Sequence, residues 1–178
     1  MPLAPADLNE RARRVRLILL DVDGVLTDGT VSISSSGGES KRFHIRDGAA
    51  IVWAQRQGLD VGLLSGRPSK ATTRRAAELG IRIVSQVGSD KLSGLQAIID
   101  AHGHATAEIA YMGDDLLDLP VLTRAGLSAA PADAAPEVLE RVDWVSGRRG
   151  GSGAVRELIE MILRARGSWE TVVKGLLE

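Results

Sequence analysis

Three short clusters in this chain carry side chains that could do chemistry. Asp21 and Asp23 stand two apart, Ser65-Gly66-Arg67 begins 44 residues after Asp21, and Gly113-Asp114-Asp115 is followed by Asp118. Lys91 lies between the second and third clusters. Carboxylates brought together repel unless a cation sits among them. An oxygen-only set without His or Cys favours a hard ion, and Mg2+ is the usual choice beside phosphate. The Ser65 hydroxyl and backbone amide and the Lys91 ammonium suit phosphate oxygens, and Pro68 near a helix start adds amides and a dipole that favour an anion. Within the first cluster the labour divides naturally. Asp21 can attack phosphorus and form an aspartyl phosphate. Asp23 can protonate the leaving oxygen and then deprotonate the water that hydrolyses the intermediate.

That chemistry requires the clusters to meet. Arg16 to Leu20 is a short apolar run stopping at Asp21, the pattern of a strand buried on both faces. Similar runs end at Ser65-Gly66 (from Val61) and at Gly113-Asp114 (from Ile109), with weaker ones at Ile81–Val84, Leu127–Ala130 and Trp144-Val145. Helical patterns lie between them, near 48–57, 69–79, 91–101, 115–123, 134–140 and 152–165. Alternating strands and helices predict an α/β domain on a Rossmann-like parallel sheet flanked by helices. Ligands of such sheets bind at the carboxyl ends of the strands, where all three clusters fall. One segment breaks the alternation: Thr30–Ile33 and Lys41–Ile45 flank a Ser- and Gly-rich turn and predict a β-hairpin directly after the first strand. The whole reads as a single domain, 1–178, with a core at about 15–165, a hairpin flap at about 29–45 and a tail at 167–178. The segments 1–14 and 167–178 are expected to be peripheral.

Composition narrows the function classes. The chain has 178 residues, 22 Lys+Arg against 23 Asp+Glu, and no Cys. The balanced charge gives no reason to expect nucleic acid or anionic membrane as a partner. Without Cys there are no disulfides, thiolate zinc sites, iron–sulfur clusters or thiol nucleophiles. The first fourteen residues lack the apolar run of a secretory signal, and no stretch approaches the ~20 apolar residues that span a bilayer. The expectation from composition is a soluble, cytoplasmic, single-domain protein.

Asp21-Val-Asp-Gly-Val-Leu-Thr-Asp-Gly29, Ser65-Gly66-Arg67, Lys91 and Gly113-Asp-Asp-Leu-Leu-Asp118 resemble, in order, the four motifs of the haloacid-dehalogenase-like phosphatases. The gaps between them leave no room for a cap domain, so the resemblance is to capless members. Phe43 to Gly48, Asp118-Leu-Pro-Val121 and Gly150 to Glu157 further resemble the family of 3-deoxy-D-manno-octulosonate 8-phosphate phosphatases, over nearly all of residues 15–165. The resemblance implies Asp21 as nucleophile and metal ligand. Asp23 would be the acid/base and lend the metal its backbone carbonyl. Asp114 would be the third protein ligand, and Asp118 a metal-site or Lys91 partner. Ser65 and Lys91 would hold the phosphoryl group, with Mg2+ as cofactor. It also implies a homotetramer whose hairpins cover neighbouring sites, and a substrate that serves lipopolysaccharide synthesis. Arg156 and the glycines at 150–153 resemble the region that approaches the substrate. Ala50, where many relatives have Gly, is a departure.

Plainer readings stand beside these. Arg67 and Arg156 are either carboxylate or phosphate contacts or solvated charges. Asp47 either caps the helix starting near Gly48 or touches substrate. Asp115 suits a helix start as well as a site, and Thr27 and Asp28 suit the turn into the hairpin. His44, His102 and His104 lack metal-ligand spacing, and Trp53 sits at core spacing. Three rival functions remain: a phosphatase for a nine-carbon sugar acid phosphate, a non-catalytic assembly module, and a phospho-receiver. The module is disfavoured by intact Asp21, Asp23, Lys91 and Asp114. The receiver is disfavoured by Asp23, which would shorten the life of an aspartyl phosphate.

Overall fold

The structure, a computed structural model, describes residues 3–178. Helix α1 (Pro5–Arg14) leads into strand β1 (Leu17–Leu20). A small antiparallel pair follows, β2 (Ser32–Ile33) and β3 (Glu39–Ser40). Then come α2 (Ile45–Arg56), β4 (Asp60–Ser65), α3 (Lys70–Glu78), β5 (Ile83–Gln86) and α4 (Lys91–His102). One 3-10 turn (Thr106–Glu108) precedes β6 (Ile109–Met112), and a second (Leu116–Asp118) runs into α5 (Leu119–Leu122). The chain finishes with β7 (Leu127–Ala130), α6 (Pro136–Leu139), β8 (Trp144–Val145), α7 (Ala154–Ala165) and α8 (Trp169–Lys174).

Six strands form one parallel sheet in the order β5-β4-β1-β6-β7-β8. The apolar runs are continuous because both faces are covered, and the strand period of two splits each run between them. Ile18 and Leu20 of β1, with Ala110 and Met112 of β6, face the layer built by α1, α2, α7 and α8. Leu17, Leu19, Ile109 and Tyr111 face the layer of α4, α5 and α6. Helix α7 presents Val155, Leu158, Ile159, Ile162 and Leu163, all fully buried, at the 3–4 spacing of a core-facing stripe.

Three expectations need correcting. The hairpin arms are shorter than the alternation suggested. Only Ser32–Ser40 and Ile33–Glu39 pair, and Lys41 to His44 leave the ladder to enter α2 three residues early, at Ile45. Just beyond the paired positions Lys41 turns its side chain inward, where it is fully buried. The third sheet strand begins at Ile83 instead of Ile81. The chain ends are not loose appendages either. Ala12 of α1 is fully buried, and Trp169 of α8 is buried edge-on against Trp53, with ring centroids 6.1 Å apart. Such an aromatic pair adds about 0.5–1.5 kcal/mol beyond its buried area. Among the described residues, no helix is long and apolar enough to cross a membrane.

Candidate active site

The sheet order reverses at β1. The chain builds outward through β4 and β5, returns to β6 on the other side of β1, and the loops after β1 and β6 diverge there. Such a switch point is where doubly wound sheets bind ligands. Asp21 follows β1 directly, with its N–H bonded to the Met112 carbonyl at 3.0 Å, so the two loops are pinned together at their roots. The next turn folds on Val22, whose carbonyl accepts N–H bonds from Val25, Leu26 and Thr27. The Thr27 hydroxyl sits inside this turn, within 3.3 Å of the Val22 carbonyl and the Gly24 and Gly29 amides. Asp28 bonds to Thr30, so both residues shape the turn as expected. Gly24 adopts φ +86°, and a Cβ there would lie 2.0 Å from an Asp114 oxygen. Only glycine lets the loop come this close to Asp114.

Lys91 is the first residue of α4, set there by the Asp90 cap, whose carboxylate accepts the Ser93 N–H. Its ammonium is 2.8 Å from Asp21 Oδ1 and 2.6 Å from Asp118 Oδ1. Asp118 is a hub. One oxygen accepts Lys91 and the Tyr111 hydroxyl, while the other accepts the backbone N–H groups of Asp114 (3.0 Å) and Asp115 (3.2 Å). Asp118 is therefore the Lys91 partner and the organiser of the β6 loop. Carboxylate oxygens of Asp21, Asp114 and Asp118 all lie within 4.8 Å of one another.

Three carboxylates face one ammonium, and ionisation responds. Burial pushes the Asp21 carboxyl up to about 6, with the Asp118 charge adding and Lys91 opposing. Burial, then the Asp21 and Asp118 charges, push Asp114 up to about 8. Burial alone would lower Lys91, but the Asp21 and Asp118 carboxylates outweigh it and raise the ammonium's pKa. Protonation relieves the repulsion in the metal-free site, and a divalent cation between the Asp21 and Asp114 carboxylates would relieve it without protons. An all-oxygen, anionic set of this kind fits Mg2+.

Ser65 is buried at the end of β4, its hydroxyl accepting the Arg67 N–H at 3.2 Å. Ser65, Gly66, Arg67, Lys91, Asp21, Asp23, Asp114 and Asp118 line one cleft of about 320 Å³. Asp23 is beside the cluster but its carboxylate faces Lys41, which sequence reasoning passed over. One signal was available: Lys41 and Phe43 share parity in an alternating arm, and Phe43 packs on the core. Glu39 was also passed over; it pairs with Arg67 at 2.8 Å. Nothing in the sequence signals that pair.

Two expected contacts are not gathered here. Asp47 is almost fully buried, and its carboxylate accepts the N–H groups of Gly153 (3.3 Å) and Arg156 (2.8 Å), so it caps α7 and not its own helix. Asp47→Ala is therefore expected to destabilise the fold by about 1–2 kcal/mol, a melting temperature lower by roughly 2–8 °C. An unchanged melting temperature would remove the capping role. The Arg156 guanidinium lies over Trp53 (4.4 Å) and Trp169 (5.1 Å) and bonds Glu160. It lines a separate cleft of about 390 Å³ with His44, Arg46 and Arg148. That cleft is larger but lacks the carboxylate cluster, so the chemistry belongs to the smaller one.

The profile of the haloacid dehalogenase-like hydrolases matches residues 81–158. The chain is 41% identical over 162 residues to the 3-deoxy-D-manno-octulosonate 8-phosphate phosphatase KdsC of Escherichia coli (strain K12), covering 91% of this chain and 86% of that protein. The Salmonella typhimurium enzyme of the same name is 40% identical over 166 residues, 93% of this chain and 88% of its own. The crystal structure of the Moraxella catarrhalis 3-deoxy-D-manno-octulosonate 8-phosphate phosphatase, in complex with magnesium, phosphate and the KDO molecule, superposes with a TM-score of 0.95. It is 32% identical, covering 97% of this chain and 99% of that one. The Yersinia pestis phosphatase superposes with a TM-score of 0.90 at 40% identity, covering 92% and 89%. The loops that diverge around β1, and the four motifs they carry, thus belong to a known lineage: the chain is a haloacid dehalogenase-like hydrolase of the 3-deoxy-D-manno-octulosonate 8-phosphate phosphatase family, a family of phosphoric monoester hydrolases.

Proposed function

We propose that this protein hydrolyses 3-deoxy-D-manno-octulosonate 8-phosphate to the free sugar acid and phosphate, through an aspartyl phosphate on Asp21. The observation that carries the reading is the Asp21–Lys91–Asp118 chain beside Asp114, in a cleft that Ser65 also lines. Mg2+, held by the Asp21 and Asp114 carboxylates with the Asp23 carbonyl, would neutralise the phosphoryl charge and fix its orientation. The Asp21 carboxylate would attack phosphorus, the P–O bond to the sugar breaking as the P–O bond to Asp21 forms. Lys91 and the Ser65 hydroxyl hold the equatorial oxygens. Asp23 gives its proton to the departing sugar oxygen and then takes one from the water that cleaves the acyl phosphate.

The sugar rests on kinship: relatives of that name match the chain nearly end to end, and one is crystallised with the KDO molecule. The product's place in lipopolysaccharide synthesis, a cytoplasmic location and a homotetramer are proposed on the same ground. An open, capless cleft gains from a neighbour's cover, because closing it excludes water from the chemistry. The test is phosphate release with Mg2+ from the eight-carbon acid phosphate, nine-carbon sugar acid phosphates and hexose phosphates. A preference for the eight-carbon acid of about 10²-fold or more in kcat/KM is expected, the size of discrimination a polar site can provide. Preference for a nine-carbon acid would overturn the substrate and keep the chemistry. No release from any of them would overturn both.

A further inference from the structure

The hairpin touches the reaction centre through its return arm. Lys41 follows β3, and its ammonium lies 2.8 and 2.9 Å from the two oxygens of Asp23 and 3.4 Å from the Thr72 hydroxyl of α3. The side chain is fully buried, while Asp23 remains one quarter exposed to the cleft. Two residues earlier in the same arm, Glu39 accepts the Ser69 hydroxyl at 2.6 Å and pairs with Arg67. The arm is thus fastened at both the β1 loop and the β4 loop. A buried ammonium is retained only when paired, and among the described residues Asp23 is the carboxylate within ion-pair distance of this one.

The carboxylates that converge to within 4.8 Å are those of Asp21, Asp114 and Asp118; Asp23, two residues from the first of them, is not in the group. A carboxylate this close to a cation site is drawn to ligate, and a ligated carboxylate cannot shuttle protons. We infer that Lys41 is a positioning residue: its hydrogen bond to one Asp23 oxygen and its ion-pair contact with the other hold the carboxylate on the hairpin side of the cleft, away from the metal cluster, and reserve it for proton transfer to and from the reacting oxygens. The claim rests on the reading of Asp21 as nucleophile and Asp23 as acid/base. The hairpin then serves its own subunit's chemistry, in addition to any cover it gives a neighbour.

The experiment compares Lys41→Met, Asp23→Asn and the double variant on the sugar acid phosphate and on p-nitrophenyl phosphate, all with Mg2+. Lys41→Met is expected to lower kcat on the sugar acid phosphate by about 10²-fold, the size of effect produced by misplacing a reacting group by about 1 Å, with KM little changed. p-Nitrophenolate leaves without needing a proton, so phosphorylation of Asp21 continues and its hydrolysis lags. A burst of about one p-nitrophenolate per chain, followed by slow turnover, is the signature of the two-step route. The double variant is expected to be no slower than Asp23→Asn, because both changes disable one function.

A Lys41→Met enzyme within about threefold of the parent, or a double variant whose losses multiply, overturns the inference. So does loss of the burst, which marks general damage to the site. If Lys41→Met does not fold, Lys41→Gln, which keeps the stem and a donor, carries the same comparison. A fully active Asp23→Asn enzyme would instead overturn the acid/base reading beneath. An inactive Asp23→Asn beside an active Lys41→Met would overturn the positioning role alone.

Discussion

Asp21→Asn is expected to lower phosphate release by about 10⁴-fold or more, the scale on which enzymes lose rate when their nucleophile is removed. The amide has the shape of the carboxylate and a far weaker nucleophilic oxygen, and it removes one ligand charge from the cation site. Lys91 keeps its contact with Asp118 at 2.6 Å, so the ammonium is not left unpaired. The fold should not suffer. Burial and the neighbouring carboxylates already push Asp21 up to about 6, so its charge opposes the metal-free fold at neutral pH. The expected result is an inactive protein that melts no lower than the parent without metal. Initial rates with excess Mg2+, together with melting curves with EDTA, read both halves. A variant keeping more than about one hundredth of the parent's rate would remove Asp21 as the attacking group.

Removing the divalent cation is expected to abolish turnover, and the same cluster is expected to make the metal-free fold pH-dependent in a stated direction. Asp21 rises to about 6 and Asp114 to about 8, from a value of 3.8 in the unfolded chain. With folded values above the unfolded one, the folded protein holds more protons through that window. Stability is then full below about pH 4, falls as pH rises through about 6 and about 8, and levels off beyond. A cation binds the ionised oxygens and displaces those protons, so its affinity rises over the same range. The melting temperature gained on adding Mg2+ should be larger at about pH 8.5 than at about pH 5.5. Asp114→Asn should flatten the metal-free pH dependence and weaken Mg2+ binding together. A metal-free melting temperature that rises from about pH 6 to about pH 8, or a Mg2+ gain that shrinks over that range, would refute this reading of the cluster.

Some of this was open to inspection in the residue order, and some could not be. The strands ending at Asp21, Ser65 and Met112 were legible because burial on both sheet faces leaves an unbroken apolar run that stops where the polar residues of the cleft begin. A parallel sheet places all such stops on one edge, so Asp21, Ser65, Lys91 and Asp114 could be gathered by topology alone, and the structure brings them together. Their residue types also stated the chemistry, since oxygen ligands, a hydroxyl and an ammonium suit a hard cation and a phosphate. Asp47 and Arg156 stayed open between two readings because a lone charged residue near a helix start has the same appearance whether it caps a helix 106 residues away or touches a ligand.

Lys41 shows the limit most clearly. Its interior position depends on the hairpin folding back over the β1 loop, and its partner lies 18 residues earlier in the chain. The division among the aspartates is likewise a matter of distance: Asp118 turned to Lys91, Tyr111 and two amides, and Asp23 turned to Lys41. Local order determined which side chains reach the sheet edge, because strand period and burial act over a few residues. Only the tertiary structure decided which carboxylates meet each other and which meet a cation, because hydrogen bonds and ion pairs form between groups that the folded chain brings within about 3 Å.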